Sequence, residues 1–473
     1  VFNFYLSIDI GSTNCKAAVF DGNGEMKFIA QIRIPESRSR GNDEIDPANL
    51  WKVIGMLLNR LPANLKHDLS SICITGQGPT ILPVSITGKP LYRCVTWLDQ
   101  RGYEKIPEYL SLGFDAQIAT GLAKLNWLGR SIDETAFLIQ PADYIGYKLT
   151  GKMMNMSFPY PGYLPWEQKA LSEAKLDARF KIPELVPTGK VAGTIKNTIT
   201  HKFDLPKKTV LISGAPDFVA ALIGTGTVED GFLCDRGGTS QGVTLCSSRK
   251  LSPPGLMTTP FFLPNLWKIS AIMNTTGKAL EWFGHKVIQK PLERFLSSAT
   301  DMDRPTRLLF LPYLNGERSP YWDSSARGLF FGLDLESDAV KMAVAIMEST
   351  GYAVADAVRR MENAGCTVRT IRTTGGQAAN FLWNQIKADV LQKPIELPTV
   401  TESELLGSAI LSISAFTNRE IPAISRQTVH IKETFLPEKN RAKEYQYLLN
   451  LYTRLYETNK ELFSLLGKVD LSD

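Results

Sequence analysis

Ile8-Asp9-Ile10-Gly11-Ser12-Thr13 near the start of the chain and Cys234-Asp235-Arg236-Gly237-Gly238-Thr239 near its middle read the same way. Each is a strand ending in an acidic residue, then a glycine turn with a threonine hydroxyl, then a second strand. Aligned without a gap, Asp9 meets Asp235, Gly11 meets Gly237 and Thr13 meets Thr239, so the chain reads as two related halves. A turn without bulky side chains lets backbone N–H groups approach an anion closely, and hydroxyls add donors, so each hairpin suits a phosphate. Taken singly, either is also an ordinary β-hairpin. The pairing is what favours two hairpins gripping a nucleotide triphosphate from both sides.

Working outward, strands are expected over 5–8, 16–20 and 26–34, joined by turns at Gly11 to Asn14 and at Asp21-Gly22-Asn23-Gly24, which makes an antiparallel meander. A helix over 49–61 and a buried strand over 69–75 follow, the strand leading into Gly76-Gln77-Gly78-Pro79; a later strand over 211–213 stops at Gly214. Glu229-Asp230-Gly231 separates the halves, and a second meander starts at Phe232. Val340, Val344, Met347, Gly351, Val354, Val358 and Met361 recur at spacings of four and three, which predicts a core-facing helix over 337–361. A strand over 368–373, a turn at Gly375-Gly376 and helices over 380–392 and 403–416 come next. Tyr445, Leu448, Tyr452, Leu455, Leu462 and Leu466 mark a closing amphipathic helix. A meander followed by alternating helices and strands, used twice, is an α/β arrangement with mixed sheets and an expected cleft between two lobes.

At 473 residues the chain exceeds what one core usually supports, so two large domains are expected. A net charge of +5 with no long Lys/Arg cluster argues against a nucleic-acid partner. The six cysteines, at positions 15, 73, 94, 234, 246 and 366, show no C-x-x-C spacing, so neither a zinc site nor a disulfide framework is expected. Reduced thiols, no leader-like start and no apolar run of spanning length give the expectation of a cytoplasmic protein without a membrane contact.

A phosphoryl transfer needs phosphate cradles, a divalent metal held by carboxylate, and a base for the attacking hydroxyl. Asp9, at a strand end beside the first cradle, suits magnesium, directly or through water; its competing role is to cap the turn. Asp217, in Gly214-Ala215-Pro216-Asp217-Phe218, follows a strand and begins a helix, where the dipole keeps a carboxylate ionised and able to accept a proton. A plain N-cap aspartate is the alternative there. Gly375-Gly376, with Asn380 opening a helix, suits an adenine and ribose or an ordinary β–α loop. Asp323 and Arg327 are expected to pair across a loop, with a direct substrate role as the lesser alternative. The four histidines, at 67, 201, 285 and 430, lie too far apart in sequence to suggest a triad or metal set.

Together these segments resemble the FGGY carbohydrate kinases, sugar and polyol kinases of the actin-like, ribonuclease-H-like ATPase fold, with the xylulokinase-like members as the nearest subgroup. The resemblance runs over almost the whole chain. It is carried by residues 8–13, Gly214-Ala215-Pro216-Asp217, Gly237-Gly238-Thr239-Ser240, the run from Leu311 to Pro320 continuing to Ala326-Arg327-Gly328, and Gly375-Gly376-Gln377 to Gln385. It implies an ATP-dependent kinase with Asp217 as general base and Asp9 serving the Mg2+ of MgATP. It puts Ser12, Thr13, Asn14, Lys16, Gly238 and Thr239 at the nucleotide phosphates, and Gly277, Glu281, Gly376 and Asn380 around the adenosine. It implies domains at 1–228 (sugar pocket, first hairpin, base) and 229–438 (nucleotide), with a helical segment 439–473 packing back on the body. A homodimer is compatible with the sequence but not fixed by it.

The departures from the family pattern concern the sugar. Where glycerol kinases carry an Arg-Glu pair and xylulokinases Met-His, this chain has Gly78-Pro79, and the residue after the base, usually Asn or Gln, is Phe218. The pocket is therefore expected to be more apolar, with Gln77, Gly78, Pro79, Trp97 and Phe218 lining it and Gln77, Thr80, Asn126 or Trp97 supplying its hydrogen bonds. A buried hydroxyl without a partner costs roughly 1–3 kcal/mol. The rival readings are an actin-like ATP-binding switch and a family member turned regulator; a Rossmann dehydrogenase is disfavoured because no G-x-G-x-x-G follows the first strand.

Overall fold

Leu6, Ile8 and Ile10 alternate with Ser7 and Asp9 along β1 (Phe4–Ile10), and the three aliphatic side chains enter one core with Cys15, Ala17 and Val19 of β2 (Asn14–Phe20). The chain is described by a computed structural model over residues 3–35, 43–156, 167–290, 299–300 and 302–468. β1 runs to Ile10 because Asp9 and Ile10 still pair with Lys16 and Cys15, which leaves a turn tighter than the sequence suggested. β3 (Met26–Arg33) completes the meander. Helix α1 (Pro47–Arg60) starts where Asp46 accepts the Ala48 N–H at 2.8 Å and Pro47 pre-sets the first turn; its Leu50, Val53, Ile54 and Leu57 are buried. With β4 (Leu69–Gly76), β5 (Val191–Thr194) and β6 (Val210–Ile212), the sheet has the order β5-β6-β4-β1-β2-β3. β4 is parallel to β1, β6 is parallel to β4, and β5 is an antiparallel edge.

The second half repeats this plan. β7 (Phe232–Gly237), β8 (Gln241–Ser247), β9 (Met257–Pro260), β10 (Trp267–Met273), β11 (Thr370–Thr374), β12 (Ile395–Pro398) and β13 (Ile431–Phe435) form a sheet of order β9-β10-β8-β7-β11-β12-β13. Apart from the added edge strand β9, pairing and direction match strand for strand. The duplication read from two hexapeptides extends to whole sheets.

Of the helices that position the site, α2 (Ala116–Leu128) and α3 (Asp217–Gly224) lie in the first half of the chain. α4 (Ala339–Asn363) and α5 (Phe381–Leu391) follow in the second; Asp338 and Asn380 cap them by accepting the N–H of Lys341 and Trp383, so each starts one or two residues later than expected. The chain divides into two compact units, Val1–Gly224 with Ser403–Thr428, and Thr225–Glu402 with Val429–Asp473. The contiguous expectation of 229–438 for one domain differs from this at α6 (Ser403–Thr417), which returns to the first unit. Its Gly407 lies so close to α3 that a Cβ there would stand 1.9 Å from the Ala220 carbonyl oxygen. α7 (Ala442–Leu466) belongs to the second unit, where Tyr445, Leu448, Tyr452 and Leu455 share a core with Val344, Met347 and Tyr352 of α4. All six cysteines are buried free thiols. Among the described residues no helix is long and apolar enough to cross a membrane.

Candidate active site

In the first unit three parallel strands end side by side, and the loops beyond their carboxyl ends hold the residues singled out above. Ligands of open α/β sheets bind at that edge. β1 ends in the hairpin Gly11–Asn14, closed by the Gly11 N–H to the Asn14 carbonyl at 3.0 Å, with Ser12 and Thr13 exposed at its tip. Asp9, half-buried, lies opposite Lys16 across the hairpin and beside Thr75 of β4. Burial first, and the Asp9 carboxylate second, hold the neighbouring Cys15 thiol well above its ordinary value.

Past β4, the Gln77 N–H donates to the Ile10 carbonyl at 2.9 Å, tying this loop to the first hairpin. Past β6, Gly214 crosses the sheet edge where a Cβ would be 1.9 Å from the Ile74 carbonyl oxygen, so only glycine fits. The Thr75 hydroxyl donates to the Ala215 carbonyl at 2.6 Å, and Gly76 bridges Pro216 in parallel register. Gln77 and Asp217 therefore leave that bridge together. The Pro216 carbonyl accepts the first helical bond of α3, from Ala220, so Asp217 stands one residue inside the N-cap position; its carboxylate accepts the Phe218 N–H at 2.6 Å.

Gln77 and Thr80 are 7% and 0% exposed, yet neither side-chain amide atom of Gln77 nor the Thr80 hydroxyl has a hydrogen-bond partner among the described residues. Buried polar atoms of this kind demand an explanation, and a hydroxyl-bearing ligand is one. Gly78, Pro79 and Phe218 are half-buried. Ile81 bridges Val95 in antiparallel register, which brings Thr80 next to Thr96 and the exposed Trp97. Asn126, by contrast, donates to the Tyr109 hydroxyl at 3.3 Å.

The segment carrying Trp97 is pinned by groups the sequence reading did not identify. Lys124, buried on α2, donates to the carbonyls of Thr96 at 2.9 Å and Trp97 at 3.1 Å. Burial pulls its ammonium down to about 8, against the opposing charges of Asp99 and Asp43. Arg101 pairs with Asp99 at 2.7 Å and Glu44 at 2.6 Å and lies over the Trp127 ring. A lone charged residue in the otherwise uncharged helix Ala116–Leu128 was the available signal for Lys124.

In the second unit, the turn from Gly237 to Gln241 is closed by the Gly238 N–H to the Ser240 carbonyl at 2.9 Å. The Gly277 N–H donates to the Gly238 carbonyl at 3.2 Å and the Lys278 N–H to the Thr239 carbonyl at 3.1 Å, while Gly375, with φ of 82°, passes against the Gly237 carbonyl. Gly238, Thr239, Gly277 and the exposed Gly376 are thus gathered together. Glu281 sits one turn beyond Gly277 and pairs with Lys278 at 2.9 Å, and Asn380 caps α5. Asp235, the counterpart of Asp9, is fully buried and committed: the Lys387 ammonium lies 2.6 Å away and the Gln241 side-chain amide donates to it. The expected Asp323–Arg327 pair does not form. Arg327 donates to the carbonyls of Ser324 and Ala326, which are nearer in the chain, and Asp323 accepts from Ser325 and Tyr456.

Among the described residues no group of three or more His, Cys, Asp or Glu side chains forms a metal cage. Magnesium does not require one, since it is commonly held by one or two carboxylates with substrate phosphates and water, and Asp9 beside a phosphate-type hairpin fits that donor set.

A duplicated sheet with a glycine hairpin in each copy is the plan of an actin-like ATPase fold. The N-terminal domain model of the FGGY family of carbohydrate kinases matches residues 4–224 and the C-terminal domain model residues 236–416. The chain belongs to this family, whose members are phosphotransferases acting on alcohol groups, and ATP is the co-substrate that such a kinase implies. The xylulose kinase of Staphylococcus xylosus is 24% identical over 96% of this chain and 100% of its own length. The gluconokinase of Bacillus subtilis is 25% identical over 96% of this chain and 95% of its own length. The ligand-bound xylulose kinase structure from Lactobacillus acidophilus shares the fold, with a TM-score of 0.87 at 22% identity, over 98% of this chain and 100% of that one.

Proposed function

We propose that this kinase transfers the γ-phosphoryl group of ATP to a hydroxyl of a small sugar or polyol, with Asp217 as the general base. The observations that support the reading are the junction of Gly76 with Pro216, from which the chain leads to Gln77 on one side and Asp217 on the other, and two buried polar side chains, Gln77 and Thr80, that lack partners among the described residues. The acceptor's hydroxyls would take up those hydrogen bonds, while Gly78, Pro79, Phe218 and Trp97 supply apolar wall. Asp217 then accepts the proton of one hydroxyl as its oxygen attacks the γ-phosphorus in line with the departing ADP oxygen. Ser12, Thr13, Asn14 and Lys16 on one hairpin, and Gly238 and Thr239 on the other, offer N–H, hydroxyl and ammonium donors to the phosphate oxygens. Gly277, Glu281, Gly376 and Asn380 flank the adenosine. Magnesium, held by Asp9 with phosphate oxygens and water, would neutralise charge on the β- and γ-phosphates.

The relatives bear names of a ketose kinase and of a sugar-acid kinase. Gln77 and Thr80 are neutral, and of the charged groups around Trp97, Arg101 is paired with Asp99 and Glu44 while Lys124 is held by backbone carbonyls, which favours a neutral polyhydroxylated acceptor. The test is ADP release measured across pentuloses, hexuloses, polyols and sugar acids. One neutral compound should stimulate turnover strongly. ATP binding without stimulation by any compound would replace the kinase reading with that of a nucleotide-binding switch or regulator.

A further inference from the structure

We infer that Gln377 is a positioning residue for nucleotide phosphate, acting through the backbone of the second hairpin; this rests on the nucleotide reading above. Gln377 is 4% exposed, and its side-chain amide donates to the Gly238 carbonyl at 3.1 Å and to the Thr276 hydroxyl oxygen at 3.0 Å. A carbonyl can only accept, so the NH2 end of the amide must face it. With the Gly277 N–H, Gln377 draws the Gly238 carbonyl inward, and the Lys278 N–H draws in the Thr239 carbonyl. In a trans peptide the C=O and the following N–H point opposite ways. Holding both carbonyls on the side of Gly277 and Lys278 therefore aims the N–H groups of Thr239 and Ser240 outward together, an anion-binding concavity.

Two features show that the position is built for this side chain. Gly237 lies against it: a Cβ there would come within 2.6 Å of the Gln377 amide oxygen, so the glycine before the turn makes room for the glutamine. On the same face, two residues down β7, Asp235 is held by Lys387 and by Gln241, the residue paired with Gly237, which fixes the base of the hairpin beneath Gln377. Gln377 has no role toward the acceptor in this reading, so its effect should be confined to phosphate.

The experiment compares ATP and adenosine binding to the full chain by calorimetry, in wild type, Gln377→Leu and Gly237→Ala. Leucine keeps the bulk and removes the donor; alanine at 237 displaces the glutamine by another route. Each variant should lose roughly tenfold in ATP affinity, the order expected for one hydrogen bond to a charged group, with adenosine affinity and the KM of the sugar unchanged. Unchanged ATP affinity in both folded variants, or a parallel fall for adenosine, would overturn the assignment. A wild type that binds ATP no more tightly than adenosine would instead overturn the phosphate-hairpin reading beneath it.

Discussion

Replacing Lys387 by methionine should destabilise the second unit by about 3–5 kcal/mol, the cost of leaving one half of a buried ion pair alone. Both side chains are inaccessible, 0% and 1% exposed, and 2.6 Å apart, so no solvent screens the remaining charge. Only the Gln241 amide would remain as a described side-chain donor to the Asp235 carboxylate. Methionine fills most of the lysine stem's volume, so the loss is electrostatic rather than that of a cavity. Converting the pair to neutral groups, Asp235→Asn with Lys387→Met, should recover most of it, leaving the double variant within about 1 kcal/mol of wild type. Thermal unfolding reads this directly: at about 2–4 °C per kcal/mol for a unit of this size, the single variant should melt roughly 6–20 °C lower. A shift of under about 3 °C, or a double variant no more stable than the single, would refute the claim that the second aspartate is locked by its lysine.

Asp9→Asn should behave oppositely: Asp9 is only half-buried, so the midpoint should move by under about 1 kcal/mol while phosphoryl transfer falls and its magnesium requirement rises, as steady-state kinetics at varied magnesium would show. Gln77→Met should raise the melting temperature, because it removes two buried unpartnered polar atoms worth about 1–3 kcal/mol, while raising the KM of the sugar; a lower melting temperature would mean those atoms are satisfied in the free protein. Glu348, buried in α4 with Thr306 and Tyr445 donating to it, has its carboxyl pushed by burial from 4.5 up to about 7. The native state then holds a proton that the unfolded chain releases, so wild type loses stability as pH rises between those two values. Glu348→Gln should match wild type near pH 4.5 and gain on it by up to about 3 kcal/mol above pH 7, measured by urea unfolding across that range.

The duplicated plan was legible because strand, turn and strand are local signals, and Asp9 and Asp235 sit at corresponding strand positions in both copies. Helix starts were one or two residues late for a local reason as well: Asp338 and Asn380 act as caps rather than as first helical residues. The placement of α6 was not legible, since its assignment depends on Gly407 meeting the backbone of Ala220, far away in sequence. The same holds for the fate of Asp235. Two aspartates at corresponding strand positions diverge because α5 brings a lysine to one of them, and no periodicity announces that. Gln77 was readable as a polar residue after a strand, but its lack of a partner required the packing around it. The Asp323–Arg327 pairing was inferred from proximity in sequence, and nearer backbone carbonyls took the guanidinium instead.

In the proposed reaction Asp217 takes the proton from the acceptor hydroxyl. With the stimulating sugar in hand, Asp217→Asn should keep ATP affinity within about twofold of wild type, since its site is at the acceptor end, and lose at least about a hundredfold in sugar phosphorylation. Transfer continuing at nearly the parental rate in that variant would contradict the account.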